Sequence, residues 1–590
     1  MHSLEYPPNV SEKHEPKIHY TFVTDKRYRF LQISLTMDAI LGETTAYSRR
    51  QKLGVISECL DLKGVYDVTL ARINEQYGEK AKLGMAALMW ISHSERPLQL
   101  DELLHALAVE IGSTDLDLTR IPWVETLLSS CLGLVLVDRK ASTVRLIHST
   151  LQEYLSTFSE IFGPTHSLMA ETCLTYLSFR TIKNISSTLC VLPRLTPFLK
   201  YCSLYWGAHA RREATGVVVS LALKLFDQIE SHICIKLLLM DRISKSSRYN
   251  WYIPTNGSLI GFTGLHCASV FGIIEIVTAL LRQPNARDNK RDFLGVTPLI
   301  WTAICGQAEV AKLLLERQTV NLDKQDGYFG RTALAWAAAE GHQRIVRLLL
   351  ERASPKPDGT DGWWGKTPHM MNIVRGRRYV DPNKSDSYGQ TAILLAAEEG
   401  HEGVVKLLLG QENINPNMSG KAGMTPLLLA SCNGHEGVVM QLLGWKYIDP
   451  NIQDDIGRTP LWWAAENKHE GVVKLLLGRE DVNPNVRDKG GLTPLWSATE
   501  RGDGRIVRLL LGREDVDPDI PDRDGQTPLL MASKNRDEGM VKLLTREDDI
   551  DRETPSTDSL VQPSLPLQMC HGVTVGLLHL ARRAVGLSPP

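Results

Sequence analysis

Three places carry residue types that could do chemistry. The first is Gly365-Lys366-Thr367, the kind of run that cradles nucleotide phosphate. A phosphate loop needs GxxxxGK[ST], so that backbone N–H groups wrap the phosphates while the Lys and Thr reach phosphate and Mg²⁺. The residue that must be glycine is Thr360, so the spacing fails. The second is Asp522-Arg523-Asp524-Gly525, which mimics the start of a calcium loop. The ligand position before the glycine is wrong and no Glu closes the loop. The third is a recurring set of polar side chains: Glu340, Glu398, Glu399, Asn433, Glu466, Asn467, Glu500 and Arg501. It holds five acids and one base, which suits a basic peptide or basic protein surface. Nothing else reads as a catalytic constellation, a cofactor site or a metal site, so the expectation is a non-enzymatic protein.

Composition supports a protein of several units. The chain has 590 residues. Apolar residues make up 43% and charged residues 23%, which is ordinary for a folded soluble chain rather than a disordered or fibrous one. Lys and Arg total 66 against 68 for Asp and Glu, so no global field draws the chain to nucleic acid or an anionic membrane. The ten cysteines run from Cys59 to Cys570 with no CxxC pair, which suits a reducing compartment. The first residues lack the apolar core of a signal peptide, and no run of about 18 apolar residues occurs. An intracellular location, cytoplasmic or nuclear, is expected.

The elements that would position the recurring acids are internal repeats. Threonines stand at Thr263, Thr297, Thr332, Thr367, Thr391, Thr425, Thr459, Thr493 and Thr527, at intervals of 34, 35, 35, 24, 34, 34, 34 and 34. The pattern is clearest at 457–485, GRTPLWWAAENKHEGVVKLLLGREDVNPN. Gly two residues before the Thr supplies the positive φ of a tight turn. The Thr hydroxyl caps a helix and Pro sits at its first position. Ala464 and Ala465 let a neighbouring helix approach. A Gly-His pair, as at Gly400-His401 and Gly434-His435, ends that helix. EGVVKLLLG then carries apolar residues at helical spacing and stops at Gly.

This pattern resembles the ankyrin repeat, with its signature TPLHxA and a period of about 33 residues. The resemblance covers roughly 259–550 and implies a solenoid whose stability lies in the contacts between neighbouring units. Trp301, Trp336 and Trp463, four residues after the Thr, read as core. Trp462 and Trp496, one place earlier, read as partly exposed. The recurring acids lie seven and eight residues after the Thr, near the end of the first helix, where such stacks meet partners. The 24-residue interval has two readings. Either a collapsed unit near 367–384 leaves a kink or weak joint, or the stretch is mis-inferred.

Residues 27–245 are helical and not repetitive. Leu83, Ala87, Trp90 and Ile91 share one helix face. Leu104, Leu107, Ala108 and Ile111 share a second, and Val124, Leu127, Leu128 and Cys131 a third. LVLVDRKASTVRLIH then reads as a hairpin. Three short helices and a hairpin suggest a winged helix.

ERPLQLDELLHALAVE, CLGLVLVD and VRLIHSTLQEYL resemble the region after the ATPase core of fungal NACHT–ankyrin proteins, which are STAND-class signalling ATPases. RFLQISLTMDAI (29–40) is similar to the tail of the NACHT module, and YCSLYWGAHARR (201–212) to the helical arm after the winged helix. The resemblance implies a P-loop upstream, and nothing in 1–60 supplies one. It also implies that His148 matches the winged-helix histidine that contacts the β-phosphate of ADP in that family. Without the ATPase core, a helix-cap or hairpin-packing role is the stronger expectation. DNA reading by the third helix would need bases on its exposed face. Trp123, Glu125, Thr126, Ser129 and Ser130 offer none, and only Arg139, Lys140 and Arg145 on the hairpin could touch phosphate.

The expected architecture is mostly α-helical, an ankyrin solenoid behind a helical region with a winged-helix-like unit. It divides into a disordered 1–28, a NACHT-tail remnant at 29–80, the winged-helix-like unit at 81–160 and a helical arm at 161–250. About nine ankyrin units follow at 255–550, one shortened at 367–391, and then a disordered tail at 551–590. The expected function is a protein-interaction scaffold or sensor through the repeats, with no cofactor, no membrane and no direct nucleic-acid partner. The second reading is an ankyrin co-regulator of transcription acting through a DNA-binding partner in the nucleus.

Overall fold

The computed structural model describes residues 45, 47–48, 62–138, 140–185, 195–245, 260–284, 286–352 and 380–545. Among them, α1 (Leu62–Asn74), α2 (Glu79–His93), α3 (Leu100–Ala108) and α4 (Val124–Ser130) lead into a hairpin of β1 (Val135–Asp138) and β2 (Thr143–Leu146). Val135 stands opposite Leu146 in this antiparallel pair. The Asp138 carboxylate turns the hairpin by accepting the N–H groups of Lys140 and Ala141. Gln99 bridges Thr143 from the other side of β2, which adds a third, very short strand. This is the helix–strand–helix–helix–hairpin order of a winged helix. Gly84 lets α2 cross α4 closely, because a Cβ there would lie 2.6 Å from the Ser130 carbonyl oxygen. Leu88, Leu103, Leu127, Leu134 and Leu151 fill the core. Ile111 does not belong to it. It lies past the end of α3 and is exposed.

After α5 (Ser149–Thr157), the chain builds the arm from α6 (Thr165–Leu177), α7 (Leu199–Arg212), α8 (Gly216–Phe226) and α9 (Ile233–Lys245). Helices α7 and α8 cover the free face of the first repeat. Trp206 meets Phe271 edge-on at 5.1 Å. A side chain at Gly207 would strike Phe271, and one at Gly264 would strike Phe226. The open end of a solenoid exposes apolar surface, and the arm closes this one.

Eight described units follow, headed by Thr263, Thr297, Thr332, Thr391, Thr425, Thr459, Thr493 and Thr527. Most of the threonines cap as expected. Thr425, for example, accepts the N–H of Leu428, and Pro426 follows it. The glycine two places before each Thr has a φ between +71° and +91°. In most units an Asp three or four residues further back ties the turn, though Gly420 stands there before Gly423. Asp454 accepts the N–H groups of Ile456 and Arg458 on one oxygen and the Trp463 indole N–H at 2.9 Å on the other. Asp292 holds Trp301 in the same way, and Asp326 holds Trp336. Asp522 is also a turn residue, accepting Asp524 N–H and Gln526 N–H.

Two expectations about tryptophan are corrected. Trp462 and Trp496 are buried, at 2% and 4% exposure, while Trp463 is half-buried. Position Thr+3 lies under the following unit. In the first unit His266 occupies it and its Nε2 reaches the carbonyls of Lys290 and Val296. A tryptophan there is covered by the neighbour, which helical periodicity within one unit does not reveal.

The Gly-His pairs form a ladder between units. Gly306, Gly341, Gly400 and Gly434 end first helices at positive φ, and each faces the ring of the next unit's histidine, His342, His401, His435 or His469. Each ring's Nε2 is paired with a carbonyl oxygen of the preceding unit: Ile304, Ala339, Glu398 and Cys432 respectively. Where the next unit has Asp503 instead of a ring, Lys468 stands in the glycine's place at φ +63°.

The segment 353–379 lies outside the described residues, and with it Gly365-Lys366-Thr367 and most of the shortened unit expected at 367–391. The units on either side of it pack directly on each other. His401 reaches Ala339, Ser387 N–H donates to the Phe329 carbonyl at 2.8 Å, and Arg331 Nε donates to Asp386 at 3.0 Å. These are the contacts made at the other joints. The expected kink is therefore replaced by a regular joint, because the repeating side chains on both faces are intact.

Candidate functional site

The recurring polar residues stand at the ends of the first helices, which stop at Ala339, Glu398, Asn433, Glu466 and Glu500. A helix C-terminus favours cations, so acids here sit against the helix dipole. Their placement does not serve helix stability. Stacking brings the set to one edge, as the contacts between units show. Asn433 Nδ2 donates to the Glu398 carbonyl at 3.0 Å, and Asn467 Nδ2 to the Cys432 carbonyl at 2.8 Å. Arg501 lies on Glu466 of the preceding unit, with Nε 2.9 Å from Oε1 and Nη2 on the same oxygen. Ser497 donates to the other oxygen of Glu466 at 2.5 Å.

The edge is thus less uniformly acidic than a count of side chains suggests. Asn433 and Asn467 hold neighbouring units together, and Arg501 neutralises Glu466. Glu466 is drawn below its ordinary range. Burial opposes this, but the Arg501 and Ser497 hydrogen bonds outweigh it. Glu398 behaves oppositely. Burial raises its pKa, against a hydrogen bond from Gln390 Nε2 at 3.1 Å to Oε2, and the adjacent Glu399 adds to the rise. Gln390 in turn accepts from Arg331 Nη2 at 3.3 Å, and the Arg331 charge partly offsets the rise at Glu398. Glu340 and Glu399 are partly buried on the same edge, and Glu500 is exposed.

A second row was missed in the sequence. Tyr328, Tyr388 and Ile456 are exposed on the turn tips, each two residues after the turn Asp. That spacing was the available signal. A cleft of about 560 Å³ opens beside Tyr328, lined also by Arg291, Phe293 and Leu294.

His148 caps α5, its Nδ1 accepting the Thr150 N–H at 3.2 Å. The Thr150 hydroxyl lies 3.0 Å from the same nitrogen and 2.8 Å from the Tyr66 hydroxyl. On α4 and just before it, Trp123, Glu125 and Ser129 are exposed. Ser130 is not, contrary to expectation. It is fully buried, with its hydroxyl on the Thr126 carbonyl. Lys140 and Arg145 are exposed on the hairpin, and Arg139 lies outside the described residues. Among the described residues no helix is long and apolar enough to cross a membrane.

Comparison with known families agrees with this architecture. Residues 265–361, 366–454, 411–488, 442–522 and 461–554 match the family model for ankyrin repeats (3 copies). Residues 72–160 match the model for the winged helix domain of GPI inositol-deacylase. No curated protein matches the chain. The protein is a helix-rich chain with a winged helix domain and ankyrin repeats.

Proposed function

We propose that the protein is a non-enzymatic interaction scaffold, or the sensing half of a NACHT–ankyrin type of signalling protein, whose partner docks on the acidic edge of the repeats. Ankyrin repeats mediate protein–protein interaction, and a winged helix ahead of the stack supports the signalling relationship. The observation that carries the reading is the row of carboxylates at helix C-termini, where the helix dipole disfavours them. A basic peptide or basic protein surface is the complementary partner. The test is affinity capture from native cells with the full chain as bait, compared with a variant reversed at Glu398, Glu399 and Glu466 to Lys. The variant should lose its specific partners, and Glu466→Gln, which alone breaks the pair with Arg501, controls for lost stability at that joint. Equal recovery with both baits would remove this edge as the docking site.

A further inference from the structure

Two glutamates at the same place in their units, Glu398 and Glu466, differ in the side chains that face them. At Glu466, a neutral donor (Ser497) holds one carboxylate oxygen, and the guanidinium of Arg501 from the next unit places two nitrogens on the other. At Glu398, a neutral donor (Gln390) again holds one oxygen. The next unit, however, carries Asn433 where Arg501 would be, and Asn433 points its amide at the Glu398 main-chain carbonyl instead. Position Thr+4, which is Ser497 in the later unit, is Leu429 here. Glu398 therefore keeps a half-buried oxygen with no cation on it among the described residues. The charge of Arg331 is felt at Glu398, but its hydrogen bonds go to Asp386 and Gln390.

Resting on the docking edge proposed above, we infer that Glu398 is the socket for an arginine of the partner, which seats its guanidinium there as Arg501 does on Glu466. The molecule itself supplies the template, so the argument does not rest on the general acidity of the edge. The template also favours Arg over Lys. Two nitrogens of one planar group share one oxygen, which a single ammonium cannot reproduce. Exposed Tyr388, on the turn tip of the same unit, offers an aromatic face to a basic segment.

The test uses the full chain and a library of immobilised random dodecapeptides as probe. The wild type should select peptides with an obligatory arginine. In a selected peptide, replacing that arginine by its neutral isostere citrulline should weaken binding about tenfold or more, and Lys should restore only part of it. Glu398→Gln should weaken binding to a similar degree. Asn433→Arg is the decisive variant. It supplies the missing guanidinium from within, so it should block the peptide while leaving the thermal midpoint equal or higher. Undiminished binding by Asn433→Arg, selection of peptides without an arginine requirement, or selection of none would overturn the inference. If cellular partners are still lost on charge reversal of the edge, the wider docking reading survives that failure. If they are retained, both fall.

Discussion

Glycine at the end of a first helix is most needed where the next unit brings a side chain against it, and one pair of substitutions measures this. Gly434 and Gly502 occupy the same place in their units, at φ +75° and +67°. A Cβ on Gly434 would lie 2.5 Å from His469 Nδ1, whereas a Cβ on Gly502 would meet nothing within 4 Å. Gly502→Ala should cost only the left-handed backbone term, about 1–2 kcal/mol. Gly434→Ala adds displacement of the His469 ring. The ring then gives up its hydrogen bond to the Cys432 carbonyl, which keeps only the Asn467 amide, and the lost bond costs roughly 0.5–1.5 kcal/mol more. The expected total for Gly434→Ala is about 1.5–3.5 kcal/mol. Urea unfolding followed by circular dichroism, with hydrogen exchange resolved by unit, reads both. In the double variant Gly434→Ala with His469→Ala, the extra cost should disappear, leaving a coupling of about 0.5–1.5 kcal/mol. Equal costs for the two glycine substitutions, or strict additivity in the double variant, would refute the reasoning.

Four further outcomes are expected. Thr425→Ala should cost about 1 kcal/mol as a lost cap, seen as a lower urea midpoint. Thr391→Val should be neutral or stabilising, since its buried hydroxyl accepts no cap bond and has no partner. Trp336→Phe removes the 2.9 Å indole bond to Asp326 and should cost about 1–3 kcal/mol by the same measurement. His209, His232 and His266 are depressed to about 3, 4 and 4, chiefly by burial. They stay neutral when folded, so the unfolded chain binds more protons below about pH 6.5. Stability should be flat above that pH and fall as pH drops toward 4, by up to roughly 1.4 kcal/mol per pH unit for each histidine. A thermal midpoint unchanged between pH 7 and 5 would contradict this.

The repeat period, the Thr caps, the Gly turns and the hairpin were legible because each is written within a dozen neighbouring residues. What stacking decides was not. The Asn433 amide, the Arg501 guanidinium and the His469 ring all act on groups 35 to 37 residues away. A period gives the distance along the chain without saying which side chain faces the neighbour. Trp462 was misjudged for the same reason. The 24-residue interval misled differently. Spacing counts residues in chain order, but His401 finds Ala339 across 62 residues because the packing faces match, whatever chain lies between.

The arm packed over Phe271 has a mechanical consequence. Buried side chains run as one contiguous apolar core from Val65 in α1 to Leu544 in the last helix. Among the described residues, the winged helix, the arm and the repeats pack against one another without a break. A partner that bends the repeats would load them as a spring, and the strain would travel through Phe271, Trp206 and Arg96, whose guanidinium lies over Tyr201, into the winged helix. A protein assembled as beads on a string would dissipate that strain at its joints.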